Sequence, residues 1–277
     1  MQAPSDPGAA RSGPARRRRA APGVAPAPDF IVALARGLDV LRCFGPGAAT
    51  LGNQDLAGLT GLPKPTISRI TYTLTELGYL RRSELGRTYE LTPKNLTLGY
   101  PLLAGMELRD RLRPHLKSIS ERTGHTVALA IRDGLHMCFV DVAQGADPNA
   151  IRLATGGRLR MSVSAAGIAT LAAMPERKRW SILNRLRSEL QQRGESGEQF
   201  EQALQACFRL GYAVVRNVWQ DGIGGISVPI QWKETLAALT MPIPTLVVSK
   251  HDMYHELAPV LLAAAEEIGR ARIEPVE

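Results

Sequence analysis

Residues 52–90, GNQDLAGLTGLPKPTISRITYTLTELGYLRRSELGRTYE, decide the fold of the N-terminal part of the 277-residue chain. A first short helix has an apolar seam, and Thr60-Gly61 after it supplies the sharp corner that two steeply crossed helices need. Pro63 precedes a second helix with one apolar face at three- and four-residue spacing, made of Ile67, Ile70, Leu74 and Leu77. The pattern predicts a helix-turn-helix.

The opposite face of the second helix carries cations and short hydrogen-bonding side chains. Its candidates for reading base edges are Lys64, Thr66, Ser68, Arg69 and Tyr72. A helix with such a face, held by a partner helix, fits the major groove of double-stranded DNA. A hairpin over residues 79–82 and 88–91 follows, and its Arg82 and Arg87 are candidates for phosphate contacts. The sequence predicts a winged helix-turn-helix over residues 29–92 that binds DNA; the alternative for the arginines is an ordinary solvated turn.

The net charge of +8 is spread unevenly along the chain. Residues 1–28 carry +4, residues 29–92 carry +1 and residues 93–277 carry +3. The first segment, which is rich in Pro, Ala and Gly and contains Arg16 to Arg19, predicts a disordered basic tail. Such a tail either adds salt-dependent attraction to phosphates or only keeps the chain soluble.

Targeting to a membrane or for secretion is not predicted. No apolar stretch follows the four arginines, so they do not start a secretory signal. The longest apolar run, residues 257–265, is too short to cross a bilayer. We therefore expect a cytoplasmic protein without a membrane partner.

Beyond the hairpin, the pattern predicts a linker helix over residues 93–106, bent at Gly99 and Pro101, and a second domain over residues 107–277. Strands are expected at residues 127–131, 137–142, 150–154, 211–215, 226–230, 236–241 and 246–249. Helices are expected at residues 29–44, 107–123, 164–173, 175–192, 197–210 and 257–273. Runs of strands with hairpins and intervening helices favour an α+β fold, with an antiparallel sheet and flanking helices in the second domain.

Few motifs of the chain suggest other chemistry. His251 and His255, four residues apart, share a helix face and could bind a metal, the alternative being a surface pair at a helix start. The glycine-rich stretch at residues 222–225 is not followed by a phosphate-loop GK[ST], so it predicts a bend or bulge in a strand. The three cysteines are widely spaced, and no nucleophile, base and orienting acid come together. We expect no enzyme activity, no metal and no cofactor.

With these motifs, the chain resembles the IclR family of bacterial transcription regulators over about residues 29–273. The matching pieces include LAGLTGLPKPTISR at residues 56–69, TLTELGY at 73–79, RPHL at 113–116 and ISVP at 226–229. The resemblance implies a GAF-like effector-binding domain behind the winged helix. It also implies homodimers, often paired into dimers of dimers, on palindromic operators.

The resemblance maps the effector pocket onto Ile151, Leu159, Ala165, Ala166, Val215, Ile223, Gly225, Thr240 and Pro242. Relatives with small organic acids as ligands often carry an acidic residue where this chain has Val215, and a cysteine where it has Gly225. The polar candidates that remain are Thr240, Ser162 and Ser164. A roomier, more apolar pocket is implied, suited to an aromatic or branched acid. Arg160 is a candidate to pair with the carboxylate, or else a surface arginine.

The sequence thus favours a transcription regulator, repressor or activator, that is controlled by a small organic acid of a catabolic pathway. Two alternatives stay open. In one, the second domain of a DNA-binding regulator only oligomerises. In the other, a small-molecule binding protein uses the helix-turn-helix for association.

Overall fold

The computed structural model describes residues 29–45, 48–84 and 86–269. They form two compact units, the first ending at Gly105 and the second beginning at Met106. The basic tail with Arg16 to Arg19, and the end of the helix predicted to reach residue 273, lie outside the described residues.

The first unit contains three helices and a small antiparallel sheet. The helices are α1 (Val32–Leu41), α2 (Asn53–Thr60) and α3 (Lys64–Glu76), and the strands are β1 (Thr50–Leu51), β2 (Leu80–Arg82) and β3 (Tyr89–Leu91), in the order β1-β3-β2. Gly61 ends α2 with a positive φ of 67°, a conformation that favours glycine, so the predicted corner is present. The core of this unit includes Val40, Leu56, Leu62, Ile67, Leu74, Leu80 and Tyr89.

Helix α1 is shorter than the helix predicted at residues 29–44, and only part of its apolar stripe is buried. Ile31, Leu34 and Leu38 are 66%, 61% and 42% exposed, whereas Val40 is fully buried. Val40, from the C-terminal part of α1, and Phe44, which follows the helix, join the core of the unit. Spacing identified an apolar face but not which part of it the fold covers.

A 3-10 turn (Pro93–Asn95) and helix α4 (Leu96–Ala104), with Pro101 inside it, end the first unit. Helix α4 buries none of its residues. Its exposed large side chains are Leu96, Leu98, Tyr100 and Leu102.

The second unit is built on a six-stranded sheet in which all pairings are antiparallel, in the order β6-β5-β4-β9-β8-β7. The strands are β4 (Val127–Asp133), β5 (His136–Ala143), β6 (Arg158–Arg160), β7 (Ala213–Arg216), β8 (Ile223–Trp232) and β9 (Thr235–Pro244). The helices are α5 (Glu107–Thr123), α6 (Ala165–Ala172), α7 (Glu176–Arg193), α8 (Glu198–Leu210) and α9 (Lys250–Asp252), which continues through a π-helical turn (Met253–Leu257) into α10 (Ala258–Ile268). Helices α6 and α10 both pack against β8, whose residues 224–230 are all buried. The α+β fold with an antiparallel sheet is confirmed.

Two strands predicted in the second domain were wrong. Residues 150–154 form a loop, and the edge strand is β6, which pairs with β5. Residues 246–249 form a turn after β9, in which Val247 and Val248 both donate from their N–H groups to the Pro244 carbonyl. Ser249 and Asp252 then form a capping box that begins a helix, and this local hydrogen bonding overrides the strand propensity of the two valines.

Candidate nucleic-acid interface and effector site

Helix α3 presents the predicted polar face to solvent. Lys64, Ser68, Arg69 and Tyr72 are exposed and Thr66 is half-buried. Tyr72 is the largest of these side chains and is 63% exposed. Within the described residues neither Lys64 nor Arg69 makes an ion pair, so both charges are available to a partner.

Asn53, at the start of α2, ties that helix to α3. Its Nδ2 donates to Ser68 Oγ at 3.2 Å, and its Oδ1 accepts from Thr71 Oγ1 at 3.3 Å. Thr71 is fully buried and its hydroxyl also lies 3.0 Å from the Ile67 carbonyl. Sequence reasoning missed Asn53 and Thr71, although a hydroxyl in line with the apolar face of α3 is a detectable anomaly. The contacts fix the orientation of Ser68, one of the predicted base readers.

The hairpin β2–β3 holds its arginines in two different ways. Arg81 is paired with Glu90 at 2.8 Å across the hairpin. Arg82 lies over the Tyr89 ring, 5.8 Å from its centroid, and Arg87 is exposed. Neither Arg82 nor Arg87 forms an ion pair in the part of the chain that the structure describes. The two arginines predicted to contact phosphates are therefore the uncompensated ones.

Four of the residues mapped as effector contacts come together on three neighbouring strands and α6. Val215 on β7 is the register partner of Gly225 on β8, which in turn is the partner of Pro242 on β9. A Cβ built on Gly225 would lie 3.6 Å from Ala165 Cβ, so the start of α6 lies over this row. All four are buried.

Of the other mapped positions, Thr240 and Ala166 adjoin this row along the chain, whereas Leu159 lies on β6, at the opposite edge of the sheet from β7. Thr240 is buried on β9, two residues before Pro242, and its hydroxyl donates to the Ile226 carbonyl at 3.2 Å. Ala166 follows Ala165 in α6 and is buried. Ile223 pairs with Pro244, Leu159 lies on β6 opposite Met137, and Ile151 is half-buried in the loop of residues 150–154.

Arg160 already has a carboxylate partner, which sequence reasoning missed. Its Nη1 lies 2.6 Å from Glu195 Oε2, and its side chain is 20% exposed. Glu195 is 35 residues further along the chain, too far for any helix or hairpin spacing to connect the two. A ligand carboxylate at Arg160 would have to compete with Glu195.

The hydroxyls beside α6 differ in what they bind. Ser164 caps the helix by accepting from the Gly167 N–H at 3.1 Å. Ser162, 2% exposed, has no hydrogen-bond partner for its Oγ among the described residues. Because a buried hydroxyl without a partner is unfavourable, Ser162 is a candidate to bind a ligand, as is Thr170 of α6, which is fully buried and also lacks a partner among the described residues.

The remaining motifs show no catalytic arrangement. Burial raises the pKa of the Cys43 and Cys138 thiols, which keeps them protonated and poorly nucleophilic. The imidazoles of His251 and His255 are exposed, with ring centroids 4.4 Å apart. No cluster of three or more His, Cys, Asp or Glu suited to a metal ion occurs within residues 29–45, 48–84 and 86–269.

The glycine-rich stretch at residues 222–225 contains a turn at Gly222 and the start of β8, whose register with β9 is unbroken, so the bulge predicted there is absent. Gly222 turns the chain with a φ of 80°. Gly224 lies so close to β7 that a Cβ there would be 2.6 Å from the Val215 carbonyl oxygen. In the described part of the chain, no helix combines the length and the apolar character that crossing a membrane requires.

Comparisons with known proteins cover both units. Residues 33–84 match the family model of the IclR helix-turn-helix domain, and residues 101–270 match that of the bacterial transcriptional regulator IclR C-terminal domain. The chain is 35% identical over 204 residues to the HTH-type transcriptional regulator TsaQ1/TsaQ2 of Comamonas testosteroni, covering 72% of each protein. It is 30% identical over 264 residues to the Pca regulon regulatory protein of Pseudomonas putida, covering 92% of this chain and 88% of that one. A crystal structure of an IclR family transcriptional regulator from Brucella abortus superposes with a TM-score of 0.73 at 35% identity, covering 89% of this chain and 94% of that one.

Proposed function

The chain belongs to the IclR family of bacterial transcriptional regulators, and from this premise we propose that α3 reads a palindromic operator under the control of a small organic acid bound in the second unit. The resemblance predicted from the sequence is confirmed. One observation carries the proposal for DNA. The cations and hydroxyls of α3 face solvent while Ile67 and Leu74, on its other side, are buried in the core.

In the proposed complex, α3 enters the major groove and the hairpin β2–β3 follows the backbone. Arg69 is the candidate for a bidentate contact with a guanine, and Lys64, in the first turn, for a base edge or a phosphate. Thr66, Ser68 and Tyr72 complete the readout. Arg82 and Arg87 contact phosphates, which adds salt-dependent affinity without sequence preference.

A palindromic operator needs two reading heads, and the first unit has apolar surface to join them. Phe30, Ile31 and Leu34 around α1 are each more than half exposed, as are Leu96, Leu98, Tyr100 and Leu102 on α4. Exposed apolar residues in this number are typical of surfaces that another chain covers. We therefore propose a homodimer through α1 and α4, which in turn can pair into a dimer of dimers.

The effector class follows from the residues around Gly225. Val215 and Pro242 contribute apolar surface, Gly225 contributes no side chain, and Ser162 offers a buried hydroxyl without a partner. This chemistry suits an aromatic or branched acid better than a two-carbon acid, because a two-carbon acid has little apolar surface to bury against these side chains. Arg160 would bind the carboxylate only by releasing Glu195.

The test of DNA reading starts from an operator selected out of random DNA by the full chain. Gel shifts are then run with every single base change, using the wild type, Arg69→Ala and Arg82→Ala. Arg69→Ala is expected to cost about 1–3 kcal/mol and to remove discrimination at one base position. Arg82→Ala is the matched control, since it should weaken all sites equally and lower the salt dependence. Equal loss on every sequence with Arg69→Ala would reject base reading.

The effector is tested by thermal shift with benzoate, 4-hydroxybenzoate, branched aliphatic acids and acetate. A ligand raises the unfolding midpoint with increasing concentration above its Kd. Val215→Asp should abolish the shift by an aromatic acid, because a carboxylate beside Gly225 replaces apolar surface that the aromatic ring would contact. Val247→Asp, at a position 62% exposed and outside the mapped pocket, should leave the shift intact. An unchanged shift in Val215→Asp would place the ligand elsewhere.

A further inference from the structure

A groove of about 660 Å³ lies between the C-terminal end of α8 and the beginning of the last helix of the second unit. Its lining includes Arg209, Leu210, Lys250, His251, Tyr254 and His255, none of which belongs to the mapped effector pocket. We propose that this groove binds a small organic phosphate with a ring or short apolar tail, at a second site distinct from the effector pocket.

The charge of the groove is the first argument. Arg209 and Lys250 approach it from different helices, and no Asp or Glu lines it. Neither cation forms an ion pair with any residue that the structure describes. Carbonyl groups at the end of α8 contribute about half a negative charge, which two full positive charges outweigh.

The carboxylate nearest along the chain compensates these cations only in part. Asp252 accepts hydrogen bonds from the Ser249 N–H, at 3.1 Å, as part of the capping box that begins α9. These bonds to Ser249 hold the pKa of Asp252 below its ordinary value. Asp252 is therefore ionised, and its charge also acts on the neighbouring His251, so it offsets one of the two cations and leaves the other in excess.

The groove also has surface for the rest of a ligand. Leu210 is 41% exposed. The centroid of the Tyr254 ring lies 6.3 Å from that of the Tyr212 ring and 5.9 Å from Lys250 Nζ. An aromatic or apolar tail against Leu210 and Tyr254 would leave the charged head between the cations.

A phosphate fits this set of donors better than a carboxylate does. A phosphate monoester carries about −1.5 to −2 charges at neutral pH and offers three acceptor oxygens. Arg209 and Lys250 can neutralise that charge, and the ring N–H groups of His251 and His255 add donors. A monocarboxylate has two oxygens and a single charge, so it would use fewer of these donors.

A metal ion at the two histidines is the competing occupant. Their ring centroids are 4.4 Å apart, but the described residues supply no third ligand. Lys250 adjoins His251 in sequence, and Arg209 lines the same groove. Both would repel a divalent cation. The anion is therefore the better match.

Isothermal titration of the full chain with phenyl phosphate tests the proposal, with benzoate and phenol as the monoanionic and neutral comparisons. Arg209→Gln and Lys250→Gln should each weaken phenyl phosphate binding at least about tenfold. Arg185→Gln and Lys178→Gln, exposed cations of α7, are the matched controls and should change it by less than about twofold. Circular dichroism confirms that each variant is folded.

Three results would overturn the proposal. Phenyl phosphate binding that is unchanged in both Arg209→Gln and Lys250→Gln would assign the anion to another surface, such as α3. Benzoate binding as tightly as phenyl phosphate would reject the phosphate preference. Zn²⁺ binding that His251→Ala removes, without phenyl phosphate binding by the wild type, would make the groove a metal site. Val215→Asp should leave phenyl phosphate binding intact, so failure here is separable from failure of the effector proposal.

Discussion

Two adjacent glycines of β8 should respond in opposite ways to the same substitution. A Cβ on Gly224 would lie 2.6 Å from the Val215 carbonyl oxygen and 2.7 Å from Thr245 Cγ2. On Gly225 the closest atoms would be the Met241 oxygen at 3.4 Å and Ala165 Cβ at 3.6 Å, which are ordinary contacts. Both glycines are buried. The pair therefore separates close backbone approach from simple loss of glycine.

The magnitudes follow from those distances. Gly224→Ala must move the β7 backbone by most of an ångström, and overpacking of this kind costs about 1–3 kcal/mol. Gly225→Ala needs no such movement, and restricting the unfolded chain should stabilise the protein by up to about 1 kcal/mol. The added methyl group at position 225 nevertheless occupies space in the proposed effector pocket.

Urea unfolding followed by tryptophan fluorescence measures the first effect, and the thermal shift with an aromatic acid measures the second. We expect Gly224→Ala to lower the free energy of unfolding of the second unit, and Gly225→Ala to keep stability but weaken the ligand. Equal destabilisation by both variants would contradict the reasoning on backbone approach. Undiminished ligand binding by Gly225→Ala would remove position 225 from the pocket.

Two further predictions concern buried charge in the second unit. Asp141, 4% exposed, lies 3.2 Å from Arg113 Nε and 3.6 Å from Arg109 Nε, so Asp141→Asn should lower the free energy of unfolding in urea by about 2 kcal/mol. Asp133→Asn, at an exposed position, is the control, and an equal loss in that variant would contradict a special contribution of the buried cluster. Burial lowers the pKa of His125 below 6.5, so its neutral form is favoured in the fold; the stability it contributes is complete above about pH 6.5 and is lost as the pH falls below that value. His125→Gln should therefore flatten the decline of the unfolding midpoint as the pH falls below about 6.5, and an unaltered decline would exclude His125 as its source.

Local patterns predicted the first unit because its elements are short and closely connected. The corner at Gly61 depends on a positive φ that glycine adopts readily, and Pro63 marks the start of the next helix. The polar face of α3 follows from helical spacing alone, since Ile67 and Leu74 must turn inward. The Asn53 contact with Ser68 and Thr71 was not predictable, because it joins residues 15 and 18 positions apart.

Long-range pairing explains what the sequence did not reveal in the second unit. The strand predicted at residues 246–249 was wrong because Ser249 and Asp252 form a helix cap, while the two valines meet no neighbouring strand. The guanidinium of Arg160 indicated a carboxylate partner, but that partner could not be identified as Glu195, since nothing in either segment indicates the other. A resemblance transfers positions, whereas the ion pairs of an individual chain depend on its own residues.

The apolar face of α1 shows what periodicity can and cannot specify. Spacing of Ile31, Leu34 and Leu38 indicates surface that is unfavourable in water, and that inference is independent of where the covering surface comes from. Within one chain these residues stay exposed, because only Val40 and Phe44 reach the core. A second chain covering them would satisfy the same physical requirement, and would also bring together the two reading heads that a palindrome requires. The exposure of these residues within one chain is therefore an observation on which the proposal of a homodimer rests.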